Sequence, residues 1–282
     1  MPLPSALLDE LVARALVEDT LGGDLTTEAL VPESARAVAR AVAHAPLVVC
    51  GGELFARVFY AVDRALRVEQ LAPEGTRAKP GDALLAVEGP TRSILIGERT
   101  ALNFLQRLSG VATQARRYVD AVPAGRALRV CDTRKTTPGL RALERYAVRV
   151  GGAHNHRNDL GAAVLIKDNH IAAVGGISAA IERARRAAPH TSRIEVEVDS
   201  LDGLDEALGA GADIVLLDNF SDADLDAAVD RARGRTLLEA SGGITLERIG
   251  RLAEIGVDVV SVGALTHSAP AADIGLDLER LG

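Results

Sequence analysis

Asp213-Ile214-Val215-Leu216-Leu217-Asp218-Asn219, an alanine- and aspartate-rich run over residues 222–233, and then Thr236-Leu237-Leu238-Glu239-Ala240-Ser241-Gly242-Gly243 decide the fold of this chain. The two outer runs are short, almost continuously apolar and bounded by turn residues, as strands buried on both faces are. The middle run has the apolar spacing of an amphipathic helix. Strand, helix and strand joined in this way make a parallel βαβ unit. Working outward, the same alternation fills the chain from about residue 125. Strands are expected over 128–132, 162–167, 193–198, 213–218, 236–241 and 258–263, with helices over 139–150, 178–188, 201–208, 222–233 and 246–255. Six such strands with no early glycine-rich dinucleotide turn fit a closed or partly closed β/α barrel better than a Rossmann sheet.

The first 120 residues read differently. A helix over 5–18 leads into a loop over 18–27, and strand-like pieces follow at 37–44, 67–71 and 83–87. The turns Pro73-Glu74-Gly75 and Lys79-Pro80-Gly81-Asp82 suit antiparallel connections. A long helix over 93–121 then carries the chain to the barrel. The expected organisation is α/β: a smaller α+β domain over 1–110, a β/α barrel over 111–268 bearing the active-site mouth, and a tail, 269–282, that returns to the first domain.

Composition narrows the function classes. Of 282 residues 48% are hydrophobic but only 2% aromatic, so the core must be built from Ala, Val, Leu and Ile. A net charge of -7 speaks against a nucleic-acid surface, whose footprint is a basic domain. No window approaches 18 uninterrupted apolar residues, and the acid-bearing N-terminal helix does not read as a signal peptide. Cys50 and Cys131 lie in apolar, strand-like contexts without metal-ligand spacing. They read as reduced core residues, and a cytoplasmic protein with no membrane partner is expected.

The polar residues gather at one edge. Each expected strand ends in polar or glycine residues: Asp132 through Lys135, Lys167-Asp168-Asn169-His170, Glu197, Asp218-Asn219, Ser241-Gly242-Gly243, and Gly263 through His267. In a β/α barrel the C-terminal strand ends converge on the active site. Only three of the 32 basic residues are lysines, and two, Lys135 and Lys167, stand inside these motifs. An ammonium and a guanidinium are not interchangeable, which marks both lysines for chemistry. Ser241-Gly242-Gly243-Ile244 and the run from Gly263 each read as a strand end opening a helix, a setting for phosphate. Arg134, Lys135, His156, Arg157 and Lys167 make the opposite side cationic, which suits a multiply anionic ligand. Glu197 and Asp218 are hard oxygen ligands suited to Mg²⁺, directly or through water. Zinc at His154, His156 and His170 is disfavoured, because the spacing lacks the pattern of a structural site.

At these residues the chain resembles a known family. The carriers are Glu98-Arg99-Thr100-Ala101-Leu102-Asn103, the run from Asp132 to Gly139, Asn155-His156-Arg157, Lys167-Asp168-Asn169-His170, Glu195-Val196-Glu197-Val198, Glu239-Ala240-Ser241-Gly242-Gly243-Ile244 and Ser261-Val262-Gly263-Ala264-Leu265-Thr266-His267-Ser268. Together they resemble the quinolinate phosphoribosyltransferases nearly end to end. The resemblance implies an open first domain, an incomplete parallel barrel of seven strands, and a homodimer or higher assembly with shared sites. The implied reaction joins quinolinate to phosphoribosyl pyrophosphate, giving nicotinate mononucleotide, pyrophosphate and CO₂ for NAD biosynthesis. It also implies roles. Lys135, Lys167, Glu197 and Asp218 are the catalytic set. Arg99 from a neighbouring chain, Thr133, Arg134, His156, Arg157 and Lys167 hold quinolinate. Lys135, Glu197, Asp218, Ser241, Gly242, Gly243, Gly263, Ala264 and His267 hold the phosphoribosyl donor. Two rivals stay open: a paralogue acting on another heteroaromatic acid, and a Schiff-base barrel lyase using Lys167.

Overall fold

The computed structural model describes residues 3–281. In chain order its elements are α1 (Ser5–Thr20), α2 (Leu25–Leu30), β1 (Arg36–Ala43), β2 (Leu47–Val48), α3 (Gly52–Val62), β3 (Arg67–Gln70), β4 (Arg77–Ala78), β5 (Ala83–Pro90) and α4 (Thr91–Asp120). There follow β6 (Arg129–Cys131), α5 (Arg141–Val150), β7 (Val164–Ile166), α6 (Asp168–Val174), α7 (Ile177–Ala187), β8 (Ile194–Val198), α8 (Leu201–Gly209), β9 (Ile214–Asp218), α9 (Asp222–Ala232), β10 (Leu237–Ser241), α10 (Ile249–Ile255), β11 (Val259–Ser261), α11 (Ala264–His267) and β12 (Ile274–Leu281). Contacts divide the chain into two units. One holds the chain up to Arg116, Thr137–Gly152 and the chain from Ser268 on; the other holds Arg117–Thr136 and Ala153–His267. Helix α5, expected among the barrel helices, is thus grouped with the first unit.

In the first unit an antiparallel sheet runs in the order β12-β1-β5-β3, with β2 and β4 forming a separate pair. Strand β1 shows why it forms. Ala37, Ala39, Ala41 and Ala43 are fully buried while the intervening residues face outward, the period of a half-buried strand. Its partner β12 pairs antiparallel along its whole length, from Arg36 opposite Leu281 to Ala43 opposite Ile274. A loop is expected over 18–27. Instead α1 continues to Thr20, and α2 begins at Leu25, where Asp24 accepts the Thr27 N–H at 2.9 Å. Such an Asp cap stabilises a helix start by about 1 kcal/mol, enough to turn a polar loop into a short helix. Helix α3 was not foreseen. It opens after Gly51 at φ 107 and buries Leu54, Phe55, Val58 and Phe59.

The second unit is a six-stranded parallel sheet in the order β6-β11-β10-β9-β8-β7. All six expected strands are present, each within the expected range. The implied seventh is reduced to one residue: His154 bridges Cys131 in parallel, its N–H donating to Val130 O at 2.8 Å and its carbonyl accepting the Asp132 N–H at 3.0 Å. Helices bury apolar stripes, such as Leu225, Ala228 and Ala232 of α9. Ser200 and Ser221 cap α8 and α9 through side-chain oxygens, while left-handed Gly175 and Gly256 end α6 and α10. Cys50 and Cys131 are both buried and free. Among the described residues no helix is long and apolar enough to cross a membrane.

Candidate active site

Side chains alternate along a strand, so residues two apart share a face. In the second unit one face carries Leu165 and Lys167, Glu195 and Glu197, Leu216 and Asp218, and Glu239 and Ser241. A cavity of about 280 Å³ opens on it. Thr133, Arg134, Lys135, His156, Arg157, Lys167, Glu197, Asp218 and Ser241, all singled out from the sequence, line this one space with Glu239 and Ser261.

The other expected residues fall outside its walls. Gly263 is next to them: a Cβ there would sit 3.1 Å from Lys135 Cδ and 2.9 Å from His267 Nε2. Ala264 and His267 lie in α11, directly after it. Gly242, at φ 84, stands against Asn219, whose Nδ2 donates to Asp218 Oδ2 at 2.8 Å. The Gly242-Gly243 pair does not itself open a helix, contrary to the sequence reading. Both glycines are left-handed, and a 3₁₀ turn (Leu246–Arg248) starts three residues later, leading into α10. Consecutive positive φ angles are incompatible with a right-handed helix start. Arg99 is exposed on α4 in the first unit and does not line the cavity.

Opposite charges meet within the cavity. The Lys167 ammonium donates to Glu197 Oε2, while its backbone N–H donates to His170 Nδ1 at 2.9 Å. The Lys135 loop is tied at both ends: its N–H donates to Thr133 Oγ1 at 3.1 Å and its carbonyl accepts Thr266 Oγ1 at 2.8 Å. Burial, and then the neighbouring Arg134 charge, hold the Arg157 guanidinium below its usual range. Arg157 Nη1 also donates to Ala163 O at 3.2 Å. Fully buried Asp132 accepts the His156 N–H at 2.8 Å and Asn155 Nδ2 at 2.5 Å, fixing the loop that carries His156 and Arg157.

Beneath this layer lie two acids whose roles the sequence reading left unassigned. Glu195 and Glu239 are each 4% exposed. Their carboxylates approach His156 Nε2 at 3.5 and 3.4 Å. Hydrogen bonds to Glu195 and then Glu239 raise the imidazole to about 10, and burial raises Glu195. His156 Nδ1 accepts the Arg157 N–H at 2.7 Å and so carries no proton, which puts the ring's own proton on Nε2, towards the carboxylates. The available signal was the period of two: Glu195 and Glu239 each stand two residues before a strand-end residue, on the same inward face. Among the described residues these three are also the one group of three or more ligand-type side chains with donor atoms within 4.8 Å of one another. His154 and His170 serve the backbone elsewhere and do not join them.

The chain is similar to known proteins along nearly its whole length. Family models described as the N-terminal and C-terminal domains of quinolinate phosphoribosyl transferase match residues 24–109 and 111–277. The chain is 46% identical over 274 residues to a carboxylating nicotinate-nucleotide pyrophosphorylase of Mycobacterium leprae, covering 95% of each. It is 42% identical over 280 residues to the human protein of that name, covering 98% of this chain and 93% of the other. The solved nicotinate-nucleotide pyrophosphorylase of Francisella tularensis superposes with a TM-score of 0.94 at 38% identity, covering 99% of this chain and 98% of that one.

Proposed function

This chain belongs to the quinolinate phosphoribosyltransferase family, and from that premise we propose that it transfers a phosphoribosyl group from phosphoribosyl pyrophosphate to quinolinate with loss of CO₂. The observation that carries the reading is one cavity lined by Arg134, Lys135, Arg157 and Lys167 together with Glu197 and Asp218. Cations there suit the two carboxylates of quinolinate, with arginines gripping planar carboxylates bidentately. The carboxylates at the ends of β8 and β9 fit Mg²⁺, which binds through one or two carboxylates plus substrate phosphates. When bound, Mg²⁺ would offset charge on the pyrophosphate oxygens.

Chemistry follows from placement. The pyridine nitrogen attacks the ribose anomeric carbon, and the bond to pyrophosphate breaks with its electron pair leaving on oxygen. The ring is now cationic. The bond from its 2-carbon to the carboxylate then breaks, CO₂ departs, and the pair stays on the 2-carbon beside positive nitrogen until a proton arrives. Thr133, Arg134, Arg157 and Lys167 hold the ring carboxylates, and Lys135, with the loops at Ser241, Gly242, Gly243, Gly263, Ala264 and His267, holds the donor. Such a site works by orientation and electrostatic stabilisation. An imine-forming lyase is the weaker reading. Its lysine must present a neutral amine, whereas the Lys167 ammonium is held by Glu197.

We place the protein in the cytoplasm as a homodimer, with Arg99 of a neighbouring chain completing each site; the exposure of Arg99 in its own chain supports this. The test is CO₂ release from carboxyl-labelled quinolinate. Release that depends on phosphoribosyl pyrophosphate is expected, and turnover of nicotinate at a comparable rate without CO₂ would overturn the reading.

A further inference from the structure

We propose that Glu195 and Glu239, working through His156, are positioning residues that set the Arg157 side of the cavity for quinolinate; this rests on the functional reading above. The two acids come from β8 and β10, which are separated in the sheet by β9, yet both converge on Nε2 of the same imidazole. Carboxylates from two strands thus flank one nitrogen of the ring. Its other nitrogen holds the backbone N–H of Arg157. The peptide that aims the Arg157 guanidinium is therefore fixed on one side by His156 and on the other by Arg157 Nη1 bonding to Ala163 O. Both ring nitrogens of His156 face protein groups, which places its work behind the ligand.

The fold alone gives no reason for this choice. Two buried carboxylates are costly, and replacing buried ionic groups with well-packed apolar residues of similar volume is often neutral or stabilising. Glu195 Oε1 and Glu239 Oε1 are moreover buried with no hydrogen-bond partner, the latter although it lies 3.4 Å from His156 Nε2, a further cost. A layer of acids that stability does not demand lies directly under a layer of cations that the ligand does. Negative charge there lets Arg134 and Arg157 stand side by side, since Glu195 attracts the Arg157 guanidinium while Arg134 repels it.

The experiment compares wild type, Glu195→Gln, Glu239→Gln and the double variant Glu195→Leu/Glu239→Leu. Thermal unfolding, quinolinate binding by calorimetry and separate KM values for the two substrates are measured. Wild-type turnover of quinolinate is scored first and tests the functional reading by itself. The leucine pair is expected to unfold near the wild-type temperature while its KM for quinolinate rises by about 10- to 100-fold, the scale of a misplacement near 1 Å. Its KM for phosphoribosyl pyrophosphate should stay within about threefold. The glutamine variants, which keep an acceptor facing Nε2, should recover most of the quinolinate affinity. Equal losses for both substrates, or quinolinate binding unchanged in the folded leucine variant, would overturn the proposal. So would stoichiometric zinc in the purified wild type that the leucine pair lacks, because the three side chains would then be metal ligands. If the leucine pair does not fold, a Glu239→Ala variant decides: quinolinate KM within twofold of wild type in that protein, once shown to fold, refutes the positioning role.

Discussion

Gly242→Ala should damage this protein twice, and the structure separates the two injuries. Gly242 sits at φ 84, and a Cβ built there falls 2.1 Å from Asn219 Oδ1, 2.6 Å from Asn219 Cγ and 3.0 Å from Asn219 N. The left-handed backbone costs an L-residue roughly 1–2 kcal/mol. The overlap adds about 1–3 kcal/mol as packing strain, because Asn219 is itself left-handed and its N–H is held by Ser241 O at 2.9 Å. A loss of about 2–5 kcal/mol lowers the midpoint of thermal unfolding by roughly 4–20 °C in a chain of this size. The second injury is chemical. Asn219 must turn away, and with it goes the bond from its Nδ2 to Asp218 Oδ2. Displacing Asp218 by about 1 Å should cut kcat/KM for phosphoribosyl pyrophosphate by roughly 100-fold. Gly243→Ala is the control: it shares the left-handed backbone, φ 58, but a Cβ there meets nothing within 4 Å. Scanning calorimetry and initial rates with varied donor read both effects. If the Gly242 and Gly243 variants match in midpoint and in donor KM, then the contact with Asn219 does not matter and the reasoning fails.

Other expectations follow from the same site. Lys135→Ala and Lys167→Ala should each lower kcat at least about 100-fold without moving the unfolding midpoint by more than a few degrees, since both side chains face the cavity; near-normal rates would remove that lysine from the chemistry. Arg99→Ala and Lys167→Ala chains, each inactive alone, should regain part of the activity when mixed and allowed to exchange, because one site in a mixed dimer has both residues. No recovery despite proven exchange would mean that Arg99 serves its own chain or none.

The strands of the barrel were legible because parallel strands covered on both faces leave uninterrupted apolar runs, as Ile214-Val215-Leu216-Leu217 does. Their polar ends were legible because charge has no place in such a run. Helix α3 was hidden for the opposite reason: Gly51-Gly52 reads as a turn, and the residues after it are apolar on most sides. The His154 bridge left no trace, since a single paired residue has no periodicity. Glu195 and Glu239 obey the period-two rule, but an acid one layer below a strand end carries no mark in the sequence of what it faces. The left-handed geometry of Gly242 and Gly243 was hidden too, since the sequence gives no sign of which backbone region a glycine occupies.

Strand β12 carries an implication for how the chain is made. It pairs along β1, which is synthesised more than two hundred residues earlier. On a ribosome the first unit therefore emerges with β1 bare on one edge, and that edge stays unpaired until the whole barrel sequence has followed. An exposed strand edge is a template for wrong partners, and long-range pairing forms slowly. The outward Arg36 and Arg40 of β1 place charge on that waiting strand, a known defence against edge-to-edge association. Translation of this protein thus holds a vulnerable interval, whose length is set by the time needed to synthesise the barrel.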